Sequence, residues 1–289
     1  MIKKLQLIIV LFFCSLTLAW AQDDLLKELE QTTPKDTEYA FQTFKGTRLV
    51  NGQSIETKSK GTLEFIIAHR FDPINSGHTE MFGLDQAHVR VGLEYGITDR
   101  LGIGFGRNGG ADKIRNAYLR YKVLRQQKGA SNFPFTMTLI GDVSATKKVS
   151  DQSVDRVGYI GQMLIARKFS PHLSLQLMPT IVHRNAVDKA TENNNQFAVG
   201  AGGRIKISKS IAFTSEYYYR VNPNSNTRNY NAVGLGIDIE TGGHVFQLVM
   251  TNTQGTTERG FITETTGNIK NGGIQFGFNV TRTFQLKKK

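Results

Sequence analysis

Charged residues recur two or four positions apart in several segments of this sequence. The pairs are Arg90 and Glu94, Arg120 and Lys122, Arg204 and Lys206, and Glu216 and Arg220. Because side chains at every second position share one face of a β-strand, the members of each pair project from the same side of a sheet. Rings of basic side chains around a pore favour the passage of anions. We therefore predict that these residues line a narrow, anion-biased pore, unless ion pairs within the wall consume their charge.

An enzymatic site is harder to assemble from this sequence. Residues 104–109 (GFGRNG) match the pattern G-x-G-x-x-G, but a loop and another predicted strand follow where a dinucleotide site needs a helix. His183 is predicted near a barrel rim, where a lipid-modifying enzyme would place its base, yet no G-x-S-x-G motif accompanies it. The histidines lack H-x-x-x-H or H-x-H spacing. We predict no catalytic residue, no metal site and no cofactor, and keep a lipid-modifying enzyme as the alternative.

The N-terminus and the composition indicate an exported protein. Two lysines precede an apolar run at 5–18, and the small-residue site Ala19-Trp20-Ala21 follows, as in a cleaved signal peptide. Removal of the signal peptide also removes Cys14, so the mature chain is expected to lack thiol chemistry and disulfides. The net charge of +12 favours anionic partners such as lipid phosphates, while export makes nucleic acid an unexpected partner. A mean hydropathy of −0.29 excludes a protein with several apolar helices across a membrane.

The elements that must position the charged residues are β-strands. From residue 61 onward, apolar and polar side chains alternate with the period of a strand that has one dry and one wet face. The pattern predicts twelve strands, near 61–71, 86–96, 100–107, 114–125, 133–145, 156–169, 172–184, 196–207, 210–222, 229–240, 243–253 and 273–284.

Long and short connections alternate strictly between these strands, and the strand number is even. Membrane barrels have this arrangement, with short turns on the periplasmic side and long loops outside. The apolar faces would then contact lipid and the charged faces the lumen, since unpaired charge is costly in an apolar core. The fold class predicted is an all-β, membrane-spanning, antiparallel up-and-down β-barrel of about 12 strands with a short N-terminal helix and plug-like segment.

We divide the chain into a signal peptide (1–21), an N-terminal periplasmic or plug segment (22–60), the β-barrel (61–286) and a basic tail (287–289). Helix formers before Pro34 predict a short helix at 23–31. Residues 39–60 have two alternatives. Either part of them folds into the lumen against lumen-facing glycines, or they stay periplasmic and the glycines only ease strand curvature. These glycines are Gly102, Gly104, Gly106, Gly200, Gly202, Gly234 and Gly236. The polar loops at 188–195 and 254–270 are expected to be exposed.

Four segments resemble the domain of unknown function 5777, a β-barrel family of Bacteroidota. They are residues 65–71 (FIIAHRF), 81–87 (MFGLDQA), 93–104 (LEYGITDRLGIG) and 119–126 (LRYKVLRQ). The resemblance covers the chain from about Phe44 onward, and the HRF and FGLD blocks are its most specific parts. It implies an outer-membrane barrel without an assigned activity and carries no ligand or catalytic residues over.

The sequence therefore predicts an outer-membrane β-barrel that forms a narrow pore or a scaffold for surface or periplasmic partners. The partners expected are outer-membrane lipid and lipopolysaccharide, the barrel insertion machinery and a small anionic solute. Phe284 near the C-terminus supplies the terminal aromatic residue by which barrels are commonly recognised for insertion. Oligomeric state and permeant solute stay open.

Overall fold

The computed structural model describes residues 36–109, 113–146, 157–187, 193–223 and 228–286. The predicted signal peptide, the predicted helix at 23–31 and the basic tail lie outside these ranges. Within them, none of the helices has the length and apolar character that crossing a membrane requires.

Twelve antiparallel strands form a closed barrel, so the predicted fold class is confirmed. The strands are β1 Thr62–Pro73, β2 Ala87–Gly96, β3 Leu101–Asn108, β4 Arg115–Leu124, β5 Thr136–Ala145, β6 Val157–Lys168, β7 Leu173–Arg184, β8 Asn195–Lys206, β9 Ile211–Arg220, β10 Ala232–Thr241, β11 His244–Thr251 and β12 Gln275–Gln285. Each pairs with its neighbours in sequence, and β12 pairs with β1 from Phe284 opposite Leu63 to Gln275 opposite Pro73. Closure leaves no edge whose backbone groups would lack partners in hydrocarbon.

The two faces of each strand have opposite character. On β2, Val91 and Leu93 are each 43% exposed on the outer surface, whereas Arg90 and Glu94 are buried inside. The same alternation recurs around the barrel, and its buried set is rich in Arg, Glu, Gln and Thr. The apolar outer face is suited to lipid, and the interior is a polar compartment whose groups need hydrogen-bond partners.

Three of the short turns are stabilised by the same arrangement of hydrogen bonds. The hydroxyl of Thr98 accepts hydrogen bonds from the backbone N–H groups of Arg100 (3.2 Å) and Leu101 (2.9 Å). Ser170 and Ser208 do the same for the residues two and three positions later. Side chains of Ser and Thr stabilise turns in this way by replacing a backbone acceptor. The hydroxyl residue therefore marks where each of these strand pairs reverses direction.

A small two-stranded unit is described separately from the barrel. In it Glu38–Tyr39 pairs antiparallel with Gln127–Lys128.

The lipid-facing surface gives a first prediction. Leu119 lies in the middle of β4 and is 52% exposed on the outer face. We expect Leu119→Arg to lower the free energy of unfolding by about 2–4 kcal/mol, the effect of Arg near a bilayer midplane. Urea unfolding in lipid vesicles measures it, with Leu119→Val as the control that keeps an apolar surface. If Leu119→Arg leaves the free energy of unfolding unchanged, this face lies in water and the prediction is wrong.

Candidate functional site

A hairpin from the N-terminal segment fills part of the barrel interior. We call residues 43–55 the plug. Arg48 and Gln53 form a β-bridge, and the Leu49 N–H donates to the Gly52 carbonyl at 2.9 Å. The tip is Val50-Asn51-Gly52, where the Asn-Gly pair provides the residues that tight hairpins favour. Of the two alternatives for this segment, the contacts below correspond to insertion into the lumen.

Glu216 on β9 binds the tip of the plug. Its carboxylate accepts hydrogen bonds from three consecutive backbone N–H groups, those of Val50 (3.2 Å), Asn51 (2.8 Å) and Gly52 (3.1 Å). A carboxylate with several backbone donors forms charge-assisted bonds that are stronger than neutral ones. One buried wall residue thus binds all three backbone N–H groups of the tip.

Amide side chains of the wall also pair with the plug backbone. Gln176 on β7 accepts from the Ile55 N–H at 2.8 Å and donates to the Gln53 carbonyl at 2.8 Å, as a neighbouring strand would. Asn279 on β12 donates to the Val50 carbonyl at 2.9 Å. The wall therefore satisfies backbone groups that the short hairpin leaves free.

Two arginines of the barrel wall also donate hydrogen bonds to this segment. Arg70 on β1 donates to the Asn51 side-chain oxygen at 2.9 Å and to the Val50 carbonyl at 3.3 Å. Arg120 on β4 donates to the Glu56 carbonyl and to the side chain of Gln53. Both guanidiniums are fully buried, and burying them without these acceptors would destabilise the protein.

The lumen glycines divide into two groups. A Cβ at Gly202 or Gly234 would lie 2.9 Å from the plug side chains of Leu49 and Val50, respectively. The other predicted lumen glycines make room for wall side chains instead: Arg120 at Gly102, Tyr118 at Gly104, Arg90 at Gly106, Tyr218 at Gly200, and Thr214 and Gln247 at Gly236. Only the first two thus face the plug as the insertion hypothesis expected.

The loop between β11 and β12 contradicts the expectation that residues 254–270 are exposed. We call residues 252–274 the outer loop. Its helix α1, Glu258–Thr263, is buried throughout, and the Phe261 ring packs 4.8 Å from the ring of Tyr218 on β9. The apolar pair Phe261-Ile262 in an otherwise polar loop is the physical reason, because burying it is favourable. The other polar loop, at 188–195, lies mostly outside the described residues.

The plug and the outer loop meet inside the barrel. Arg48 of the plug forms an ion pair with Glu258 of α1, with 3.2 Å between Nη1 and Oε1. Burial disfavours the charged form of Arg48, but Glu258, Tyr118 and Glu94 together outweigh it, with Glu258 contributing most, and raise the pKa of the guanidinium above its usual value. Arg48 therefore stays charged, and the pair joins segments that enter from opposite ends.

Four of the predicted pore-lining residues lie deep in the barrel, where they form hydrogen bonds or ion pairs. They are Arg90, Glu94, Arg120 and Glu216. Arg120 pairs with Glu94 at 3.1 Å, and Glu94 also accepts from the Tyr118 hydroxyl at 3.0 Å. Arg90 donates to the Asn116 side chain at 2.8 Å. Glu216 binds the plug, as described above.

The remaining four lie toward the barrel ends. Arg204 pairs with Asp238 at 3.7 Å and also with Glu240, while Lys122 lies 3.8 Å from Glu56. Arg220 donates to the side chain of Asn231 near the long loops, and Lys206 is half-buried near the short turns. The eight residues thus face inward along the whole length of the barrel rather than forming one ring.

Cavities flank the inserted segments. A cavity of about 660 Å³ at the short-turn end is lined by residues that include Phe41, Lys60, Asp99 and Lys122. A second, of about 310 Å³, lies at the long-loop end beside His88 and residues of the outer loop. These volumes are large enough for small-molecule vestibules.

His183 lies on β7 with its Nδ1 2.7 Å from the Asn195 side-chain oxygen. Its cross-strand neighbours are Tyr159 and Asn195, neither of which supplies a nucleophile. Residues 104–109 run along and just beyond β3, so the glycine motif opens no helix. In the part of the chain that the structure describes, no three His, Cys, Asp or Glu residues are grouped as a metal site would require.

The Glu216 contact gives a second prediction. Glu216→Gln replaces the carboxylate with one acceptor oxygen and an NH₂ group that faces backbone donors. We expect amide hydrogen exchange in residues 43–55 to accelerate at least about tenfold, since a hydrogen bond to a charged group is worth about 1.5–3 kcal/mol. Exchange followed by mass spectrometry measures it. Asp142→Asn is the matched control, because Asp142 accepts from Asn116 on the wall and forms no hydrogen bond with the plug, whose Arg48 acts on it only through its charge. Equal exchange in both variants would contradict the role given to Glu216.

Comparisons with known proteins agree with this architecture. No curated protein is detectably similar in sequence. Among solved structures, the NanC porin matches with a TM-score of 0.50 at 8% identity, over 78% of this chain and 100% of that chain. The KdgM porin matches with a TM-score of 0.50 at 8% identity, over 77% of this chain and 99% of that chain. Such low identities bear on the fold alone. A family model described as "Membrane bound beta barrel domain (DUF5777)" matches residues 44–284, which include most of the plug and all of the outer loop. The chain therefore belongs to the DUF5777 family of membrane-bound β-barrel domains.

Proposed function

We propose that this protein is an outer-membrane channel for small anionic solutes that the plug and the outer loop hold closed at rest. The observation that carries the proposal is the capture of the plug tip by Glu216 inside a barrel of porin-like fold. A segment that enters from the short-turn end and is bound at its tip by a buried carboxylate of the wall has the arrangement of a gate.

The energetics favour a closed resting state. Four apolar plug side chains are buried, namely Phe44, Leu49, Val50 and Ile55. Burial of each contributes about 1.5–3 kcal/mol, so spontaneous departure of the plug is rare. The polar contacts add to this, by about 0.5–1.5 kcal/mol for a neutral hydrogen bond and about 1.5–3 kcal/mol for one to a charged group such as Glu216. Opening then requires a stimulus or partner that binds the released segment.

Release of the plug would leave a basic lumen. Arg70 loses the acceptors that Val50 and Asn51 provide, and Arg120 loses those of Gln53 and Glu56. Arg90 has no carboxylate ion pair among the described residues and is attracted by Asp142 and Glu258 without direct contact, so it adds further positive charge. Basic side chains freed along a narrow pore lower the energy of a passing anion.

The same features support an outer-membrane location. Short turns lie at one end of the barrel and long loops at the other, which matches periplasmic and external sides. The apolar outer face would contact outer-membrane lipid and lipopolysaccharide. Phe284 on β12 is positioned to be recognised by the barrel insertion machinery.

Conductance in planar bilayers tests the proposal. We expect the mature protein to give few channel steps. A variant that lacks residues 23–57 should give frequent steps, and the reversal potential in a KCl gradient should indicate preference for anions. Asp142→Asn is the control that keeps the plug and should stay closed. A folded, heat-modifiable deletion variant that never conducts would contradict the proposal and favour a scaffold for surface or periplasmic partners.

A lipid-modifying enzyme is the second candidate function, and the 2.7 Å contact between His183 and Asn195 is the observation in its favour. Hydrolysis requires a nucleophile beside the histidine, and its cross-strand neighbours supply none. We expect the purified barrel to leave phospholipid vesicles intact over hours at neutral pH. Release of fatty acid by the wild type that disappears in His183→Ala would reverse this ranking of the two functions.

A further inference from the structure

A small enclosed cavity lies where the plug, the barrel wall and the outer loop meet. Its volume is about 20 Å³. Arg48 of the plug, Arg70 of β1 and Arg90 of β2 line it, together with the hydroxyl residue Thr256 of the outer loop. About 10–15 Å³ of such space holds one water-sized species, so the cavity accommodates a single small occupant.

Buried donors without partners belong to two of these arginines. Arg48 Nη2 and Arg90 Nε are both inaccessible to solvent and have no hydrogen-bond partner among the described residues. Arg90 is 2% exposed and the Arg48 side chain is 8% exposed. Orphaned guanidinium N–H groups at such depth cost free energy unless an acceptor is present.

The amide and carbonyl acceptors nearest to Arg70 are already in use. The side-chain oxygens of Asn51 and Asn279 both accept from Arg70, and the Val50 carbonyl accepts from Arg70 and Asn279. The unused capacity on the lining residues is in the Arg48 and Arg90 N–H donors and in the Thr256 and Thr281 hydroxyls, which can donate as well as accept. An occupant that only accepts hydrogen bonds can therefore bind to all four groups.

The charges around the cavity also favour a negatively charged occupant. The positive charge of Arg48 repels those of Arg70 and Arg90. Glu258 compensates Arg48 through their ion pair, and Glu216 attracts Arg70 while its oxygens are bound by the plug backbone. Arg90 donates a hydrogen bond only to the neutral Asn116, and Asp142 and Glu258 attract it without a hydrogen bond. A negative charge at the centre would offset the repulsion of Arg70 and Arg90 by Arg48.

We propose that this cavity is a binding site for one halide ion, with chloride as the physiological ligand. The volume suits a monatomic ion better than a bulky anion such as a sugar carboxylate. Since Arg48 comes from the plug, Thr256 from the outer loop and the other two arginines from the wall, the bound ion would stabilise the assembled interior. This inference does not depend on whether the barrel conducts.

Bromide crystallography tests the site directly. Crystals of the mature protein soaked in sodium bromide should give an anomalous peak between Arg48, Arg70 and Arg90 at the bromine absorption edge. The same peak should be absent from crystals of Arg90→Met. Density in the wild-type cavity with no anomalous signal would identify a water molecule and overturn the proposal.

Thermal unfolding provides an independent readout in detergent. At constant ionic strength, replacement of sodium gluconate by sodium chloride should raise the Tm of the wild type in a saturable way. We expect Arg90→Met and the milder Thr256→Val to weaken the half-saturating chloride concentration at least about tenfold and about twofold, respectively. Arg204→Met is the matched control, because Arg204 is a lumen arginine that does not line the cavity, and it should retain the chloride response. The same Tm in chloride and gluconate for the wild type would contradict the site.

Discussion

A barrel that turns its apolar side chains toward lipid must enclose its charged ones, and each enclosed charge needs a partner. Here the wall contributes buried Arg, Glu, Gln and Asn side chains, and the backbone of the plug supplies many of the groups they bind. The bonds from three consecutive plug N–H groups to Glu216 are the clearest instance. Because a carboxylate buried without such donors would be costly, wall and plug stabilise each other.

This mutual dependence explains why two segments enter the barrel. The plug satisfies the wall from the short-turn end, and the outer loop brings α1 in from the long-loop end. Arg48 and Glu258 join them at the centre. The interior thus combines a polar network with an apolar core, in which side chains of the plug and the outer loop pack with apolar wall residues such as Tyr218. An assembly of this kind has discrete docked and undocked arrangements, which is the property that a gate requires.

The sequence predicts the strands well because the two-residue period is a local property. The limits of the twelve predicted strands agree with the observed ones to within three residues. The inward direction of residues such as Arg90 and Glu94 follows from the same alternation. Their partners are not local: Glu216 binds residues more than 160 positions away, and periodicity contains no information on such pairs. The glycines gave a partial signal for the plug, correct at Gly202 and Gly234 and misleading where they admit wall side chains. For the outer loop, the available signal was Phe261-Ile262 after Thr257, a helix N-cap residue, within a polar stretch.

The central claim is that the plug occupies the lumen with Val50 against β10. The Val50 Cβ lies 3.1 Å from the Cβ position at Gly234, close to the roughly 3.5–4.5 Å spacing of a disulfide. The most direct measurement is therefore cross-linking of Val50→Cys/Gly234→Cys in membranes. The matched pair Val50→Cys/Gly243→Cys, with its second cysteine in a short turn, is the control. We expect a mild oxidant to produce a faster-migrating, reductant-sensitive band in the first pair and not in the second. Failure of the first pair to cross-link, with both thiols reactive after unfolding, would contradict a plug in the lumen.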